Sequence, residues 1–197
     1  MKLYQLSILE VTDGSAKLLS SAADLSSFSF YQRGSVGEFM TFMAKTVAER
    51  TAVGQRQSVQ ENSYTAHVYN AGRENLAAVV ITDEEYPVRP AFSLLQKLID
   101  DFVTSVPKTT WSNPSSIDFP AAKAYLAKYQ DPKQADQIMR VQAELDETKI
   151  ILHKTIEGVL QRGEHLDSLV ERSNALSAQS KMFYKTAKSQ NSCCVVM

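Results

Sequence analysis

Beyond Pro132 the chain runs to Gln190 without another proline, and only Gly158 and Gly163 interrupt it. The run opens at Asp131-Pro132-Lys133-Gln134, where Asp can cap, Pro suits the first helical position and Gln completes a capping box. A segment this long exceeds an ordinary globular helix and predicts a coiled coil. Alternate steps of three and four from Ile138 trace a seam of Ile138, Val141, Leu145, Thr148, Leu152, Thr155, Val159, Arg162, Leu166, Leu169, Ser173, Leu176, Ser180, Phe183, Ala187 and Gln190. Most of these are apolar, but the interspersed small and polar positions make a poor self-sufficient zipper. Thr148, Thr155, Ser173 and Ser180 leave room for larger side chains from other helices. The segment therefore predicts a helix that needs partners.

Arg162 is the informative position. It falls in register between Val159 and Leu166, where closing a coil would take it out of water. A lone buried guanidinium costs several kcal/mol unless its donors are matched. Its five N–H donors suit a ring of amide oxygens from neighbouring helices, and such a polar layer fixes register. A seam that simply breaks at a solvated arginine has the same spacing.

The preceding residues read as a compact α+β domain. Tyr4, Leu6 and Ile8 alternate with Gln5 and Ser7 as in a half-buried strand, and Asp13-Gly14 supplies a hairpin turn into Ala16–Leu19. Ser35-Val36-Gly37-Glu38 reads as a capping box opening a helix that carries Phe39, Phe42, Met43 and Val47 on one face and stops at Gly54. Strands are predicted over Arg56–Gln60, Tyr64–Tyr69 and Leu76–Thr82, the last apolar on both faces and therefore central. Pro90 suits the first turn of a second helix carrying Phe92, Leu95, Leu98, Ile99 and Phe102 and ending before Pro107; a short helix follows over Phe119–Tyr129. The order predicts a five-stranded, mainly antiparallel sheet with helices on both faces. Divisions fall at 1–132, 133–190 and 191–197.

Composition excludes several functions. A net charge of −1 and a pI near 6.3 give no basic face for nucleic acid. His67, His153 and His165 are scattered without metal-ligand or triad spacing, so neither a metal site, a cofactor nor a catalytic residue is expected. No phosphate-binding G-x-x-x-x-G-K-[ST] loop occurs. With no charged-then-apolar leader and no stretch near ~18 apolar residues, a cytosolic location is expected. The chain's two cysteines, Cys193 and Cys194, are adjacent in the tail. Cys194-Val195-Val196-Met197 fits the C-a-a-X pattern, with a terminal Met favouring farnesyl transfer to Cys194 and removal of Val195, Val196 and Met197. One lipid anchors only marginally, so Cys193 is the candidate for a second, palmitoyl chain, and Lys181, Lys185 and Lys188 for a weak electrostatic supplement.

The stretch V-Q-A-E-L-D-E-T-K-I-I-L-H-K-T-I-E-G-V-L-Q-R-G-E-H-L-D-S-L-V, followed by S-K-M-F-Y-K-T-A-K, resembles the motif of the arginine-contributing SNAREs. S-S-F-S-F-Y-Q-R, E-F-M-T-F and I-T-D-E-E-Y-P-V-R-P-A-F resemble the longin, profilin-like domain. With the tail, the resemblance is to the lipid-anchored longin R-SNAREs of the secretory and vacuolar routes, over essentially the whole chain. It implies that Arg162 is the central-layer arginine facing three glutamines, sealed by Val159 and Leu166. Ile138, Val141, Leu145, Leu152, Leu169, Leu176, Phe183 and Ala187 would then form further layers. Implied partners are three glutamine-class helices (Qa, Qb and Qc), the SNARE disassembly machinery, a prenyltransferase and membranes of the Golgi, ER-derived vesicles and endosome or vacuole.

Longin relatives can fold the SNARE segment back over the longin domain. Ile151, Ile156 and Val170 lie beside the main seam and widen its apolar face. Phe39, Phe42 and Met43 are candidates for an autoinhibitory and lipid-holding groove, with Phe42 expected to face it. Two other readings share these features: a non-fusogenic lipid-anchored tether, and a domain that acylates its own Cys193.

Overall fold

The computed structural model describes residues 1–131 and 149–192. The proposed helix start at 132–134 and the seam residues Ile138, Val141, Leu145 and Thr148 lie outside the described residues, as do Cys193 to Met197.

Strands β1 (Leu3–Thr12) and β2 (Ser15–Ala23) form the expected hairpin. Its turn holds Asp13 at φ 52° and Gly14 at φ 74°, the paired left-handed geometry of a type I′ turn that Asp-Gly favours. Helix α1 (Arg33–Glu49) leads to strands β3 (Arg56–Glu61), β4 (Tyr64–Asn70) and β5 (Leu76–Asp83), then to helices α2 (Val88–Ser105) and α3 (Ala121–Lys128). With a further strand β6 at Ile150–His153, the strand order is β2-β1-β5-β4-β3-β6, so β5 is central, as its two-faced apolar pattern predicts.

The sheet has six strands rather than five. The sixth, β6 (Ile150–His153), comes from the segment expected to be coiled coil and adds in parallel to β3, Arg56–Val59 facing Ile150–His153. The expected continuous helix is likewise interrupted. After β6 come a single 3-10 turn at Ile156–Gly158, a short helix α4 (Leu166–Arg172) and a longer α5 (Ala178–Ser192). Heptad periodicity makes a helix only where something covers its seam; here the open edge of β3 offers the backbone of 150–153 hydrogen bonds instead.

Each face of the sheet carries its own core. On one, Phe92, Leu95, Leu98, Ile99 and Phe102 of α2 meet Leu3, Leu6, Ile8, Val80, Trp111, Phe119 and Tyr129. His67 sits under this layer, its Nδ1 2.7 Å from the Ser58 hydroxyl and its ring edge-on to Phe92; burial lowers its pKa to about 4, so it is neutral. On the other face Val36, Met40, Met43, Ala44 and Val47 of α1 pack on Leu9, Val59, Ala66, Val68, Val79 and Ile81.

Two local expectations change. Gln5 and Ser7 are buried rather than wet, because α1 covers that face; the Gln5 amide donates to the hydroxyls of Ser7 and Thr41. The capping box does not form either. Helix α1 starts two residues before Ser35, and Glu38 turns away from its own backbone to serve a different segment.

Candidate functional site: a strap across one face of the sheet

Residues from β6 to α5 form a strap over α1 and the neighbouring edge of the sheet. Polar fasteners hold it at regular intervals. The Ile156 N–H donates to Glu61 at 3.1 Å, with Ile156 buried beneath it; burial raises the pKa of Glu61. His153 reaches Gln57 Oε1 at 2.8 Å. Arg50, just beyond α1, grips Glu164 through Nη2 at 3.0 and 3.1 Å and Nε at 3.3 Å. The Gln161 N–H, 3.0 Å away, and Arg50 together hold the Glu164 carboxyl below its usual pKa.

At the far end Glu38 accepts the Ser180 hydroxyl at 2.6 Å and the Ser177 N–H at 3.0 Å, which lowers its pKa. Phe39 then stacks on Tyr184, centroids 5.3 Å apart, and meets Phe183 edge-on at 6.5 Å. The Tyr184 hydroxyl donates to Asp167 at 2.7 Å, and Lys188 to the same carboxylate at 2.6 Å; these bonds depress the Asp167 pKa, while burial pushes that of Tyr184 up. Lys181 and Lys185 are held by Glu171. All three lysines expected to supplement membrane attachment are thus engaged by α4.

Between α1, α5 and the sheet lies a partly open apolar cavity of about 90 Å³. Phe39, Met40, Met43, Val59, Ile81, Phe183, Tyr184 and Ala187 are among its lining residues. It is smaller than the roughly 300–1,000 Å³ typical of sites for small-molecule ligands. Phe39 and Met43 of the expected groove are on its wall. Phe42 is not among the lining residues; it stands beside Phe39, ring centroids 6.3 Å apart, half-buried.

The seam residues are redistributed. Leu166, Leu176 and Ser180 are buried against the domain, Val159, Leu169, Phe183 and Ala187 are half-buried, and Leu152 is 67% exposed. Arg162 is exposed in the turn between β6 and α4 and shares no layer with Leu166 here. Ile156 and Val170, flanking the seam, are 1% and 0% exposed. The strap's inner face is therefore the seam rotated partly onto its flank. Tyr184, Glu38 and the Arg50–Glu164 pair were not anticipated as site residues. A Phe-Tyr doublet at 183–184, which gives one ring to each of two neighbouring faces, was the readable sign of the first.

Among the described residues no cluster of three or more His, Cys, Asp or Glu could hold a metal, and no helix is long and apolar enough to cross a membrane. The longin family, described as a regulated-SNARE-like domain, matches residues 25–128, and the synaptobrevin family matches residues 137–194. The chain is similar to the synaptobrevin homolog ykt6 of Schizosaccharomyces pombe, 58% identical over 197 residues and the whole of both chains. It is 53% identical to the corresponding synaptobrevin homologs of Saccharomyces cerevisiae and Yarrowia lipolytica, over 201 residues and again the whole of both chains. A longin domain followed by a synaptobrevin segment, with relatives more than half identical throughout, places the chain in the longin-type R-SNARE family.

Proposed function

We propose that this trafficking R-SNARE contributes the segment 133–190 as one helix of a parallel four-helix bundle with three glutamine-class helices, and that the strapped conformation is its closed, waiting form. The carrying observation is that Leu166, Leu176 and Ser180 are buried on the longin domain. A seam residue covered there cannot at the same time cover a partner helix, so strap and bundle exclude each other. In the bundle Arg162, exposed in the turn, becomes the central-layer cation, sealed by Val159 and Leu166. Burial of successive layers toward Gln190 draws together the membranes holding the two ends; no bond in a substrate is broken.

Attachment in this reading is through Cys194, prenylated, and Cys193, acylated, after loss of Val195 to Met197. A prenyl chain exposed to water is disfavoured by about 0.8 kcal/mol per methylene that burial would cover. The apolar cavity beside Phe39, Met43 and Ala187 gives such a chain an apolar wall to start from, and α5 must move outward from α1 to enclose it whole. Opening also frees Lys181, Lys185 and Lys188 from α4 to face an anionic surface.

Mixing the full chain with recombinant Qa, Qb and Qc motifs from the same organism tests the proposal. A heat- and SDS-resistant complex should form, and Arg162→Leu or Arg162→Glu should weaken it. A tether would be indifferent to both substitutions.

A further inference from the structure

The strap asks one sequence to satisfy two backbones. In the bundle residues 150–165 must be α-helical. Against the longin domain the same residues form a strand, a 3-10 turn and a reversal. A sequence strongly committed to helix would never adopt the second arrangement. The two glycines that interrupt the segment sit where the strapped backbone departs most from a helix.

Gly163 occupies φ +89°, in the region open to glycine and strained for an L side chain. It follows Arg162 directly and closes the reversal in which the Glu164 N–H bonds the Gln161 carbonyl at 2.9 Å. That reversal aims Glu164 at Arg50. Gly158 is restricted by space instead. A Cβ there would lie 2.9 Å from His153 Nδ1 and 3.3 Å from its Cβ. The ring cannot swing aside without losing its 2.8 Å contact to Gln57, the side-chain link between β6 and β3. At both positions the strap favours glycine, at Gly163 for its backbone angle and at Gly158 for space. In a continuous helix the preference reverses, since glycine is the poorest former after proline.

We infer that Gly158 and Gly163 set the balance between strapped and bundled forms, each favouring the strap and disfavouring the helix. This rests on the proposed exclusion between strap and bundle, and assigns its set-point to two residues that contact no partner. Alanine should favour the helical form by about five-fold at each position through propensity. At Gly163 it should further weaken the strapped reversal by about 5- to 30-fold.

The test uses the full chain with Cys193 and Cys194 replaced by serine and dyes on V53C and M182C. Val53 and Met182 are 72% and 70% exposed and far apart in sequence, one on the longin domain and the other on α5. Energy transfer reads strap closure, and mixing with Qa, Qb and Qc motifs reads assembly rate. G158A/G163A should lower energy transfer and raise the assembly rate at least ten-fold, with each single variant between it and wild type. Gly14, at φ +74° in the β1–β2 turn, provides the control: G14A carries comparable strain outside the strap and should leave energy transfer unchanged. G163N, whose side chain tolerates the left-handed region, should stay closer to wild type than G163A. A longin core that still unfolds cooperatively in denaturant excludes general misfolding. Unchanged energy transfer in G158A/G163A would overturn the inference. Lowered transfer with an unchanged assembly rate would uphold the glycines' role and instead refute the proposal that the strap restrains assembly.

Discussion

The two faces of this sheet are covered by different materials. On one, α2 and α3 bring large side chains that are wholly enclosed: Phe92 and Phe102 at 0% exposure, with Trp111 and Tyr129 packed around them. On the other, α1 brings mainly small and medium residues, and the outer layer over it is the strap. That layer is held through bonds from Glu38, Glu61 and Arg50, and it leaves a cavity. Large, fully enclosed apolar side chains suit a permanent core. Polar fasteners over an unfilled cavity suit a layer that leaves, because both its inner face and its site can find water or another partner on release.

Substitutions should separate the two. Phe102→Ala removes a fully buried ring from the permanent face and should cost about 3–5 kcal/mol, read as a lower denaturant midpoint for the whole domain. No selective opening of the strap should precede it; a variant that opened but did not lose global stability would erase the distinction.

Acid should attack the permanent face next. His67 is neutral when folded, with a pKa lowered by burial to about 4 against 6.5 when free. Between those values the unfolded chain binds a proton that the folded one refuses. Stability is therefore fully present above pH 6.5 and falls as the pH drops toward 4, by up to about 3 kcal/mol. His67→Gln should flatten urea midpoints across that window, and an unchanged slope would show that other groups govern it.

A smaller global effect is expected on the strapped face. Phe39→Glu places a carboxylate where the ring stacks on Tyr184 at the cavity wall, and Phe42→Glu places one directly beside it. Both should leave the longin core folded, shift lipidated protein from the soluble to the membrane fraction and raise assembly with the glutamine-class helices. Phe39→Glu should be the stronger, since Phe39 touches the strap and Phe42 is not among the residues lining the cavity. Equal soluble fractions for both variants and wild type would count against a groove on this face.

What could be read from the sequence follows the same division. The hairpin at Asp13-Gly14, the central β5 and the α2 helix all carry a period that agrees with their final surroundings, so local pattern and tertiary packing point the same way. The strap carries two patterns. Its heptads describe a helix among partners, whereas the β-branched pair Ile150-Ile151 and the two glycines describe an edge strand and a reversal. Reading only the stronger period yields five strands and one long helix. Glu38 misled in a related way: three residues after a serine it spells a capping box, yet the carboxylate is used between segments, which adjacency in sequence cannot reveal.

The most direct measurement is amide hydrogen exchange along β3. In the free chain Arg56–Val59 pair with β6 on one side and β4 on the other. Adding Qa, Qb and Qc motifs should remove protection from the amides that face β6, while Val68 and Val79 in the paired interior of β4 and β5 remain protected. If the bundle forms and the β6-facing amides of β3 stay protected, the strap does not leave, and strap and bundle do not compete for one segment.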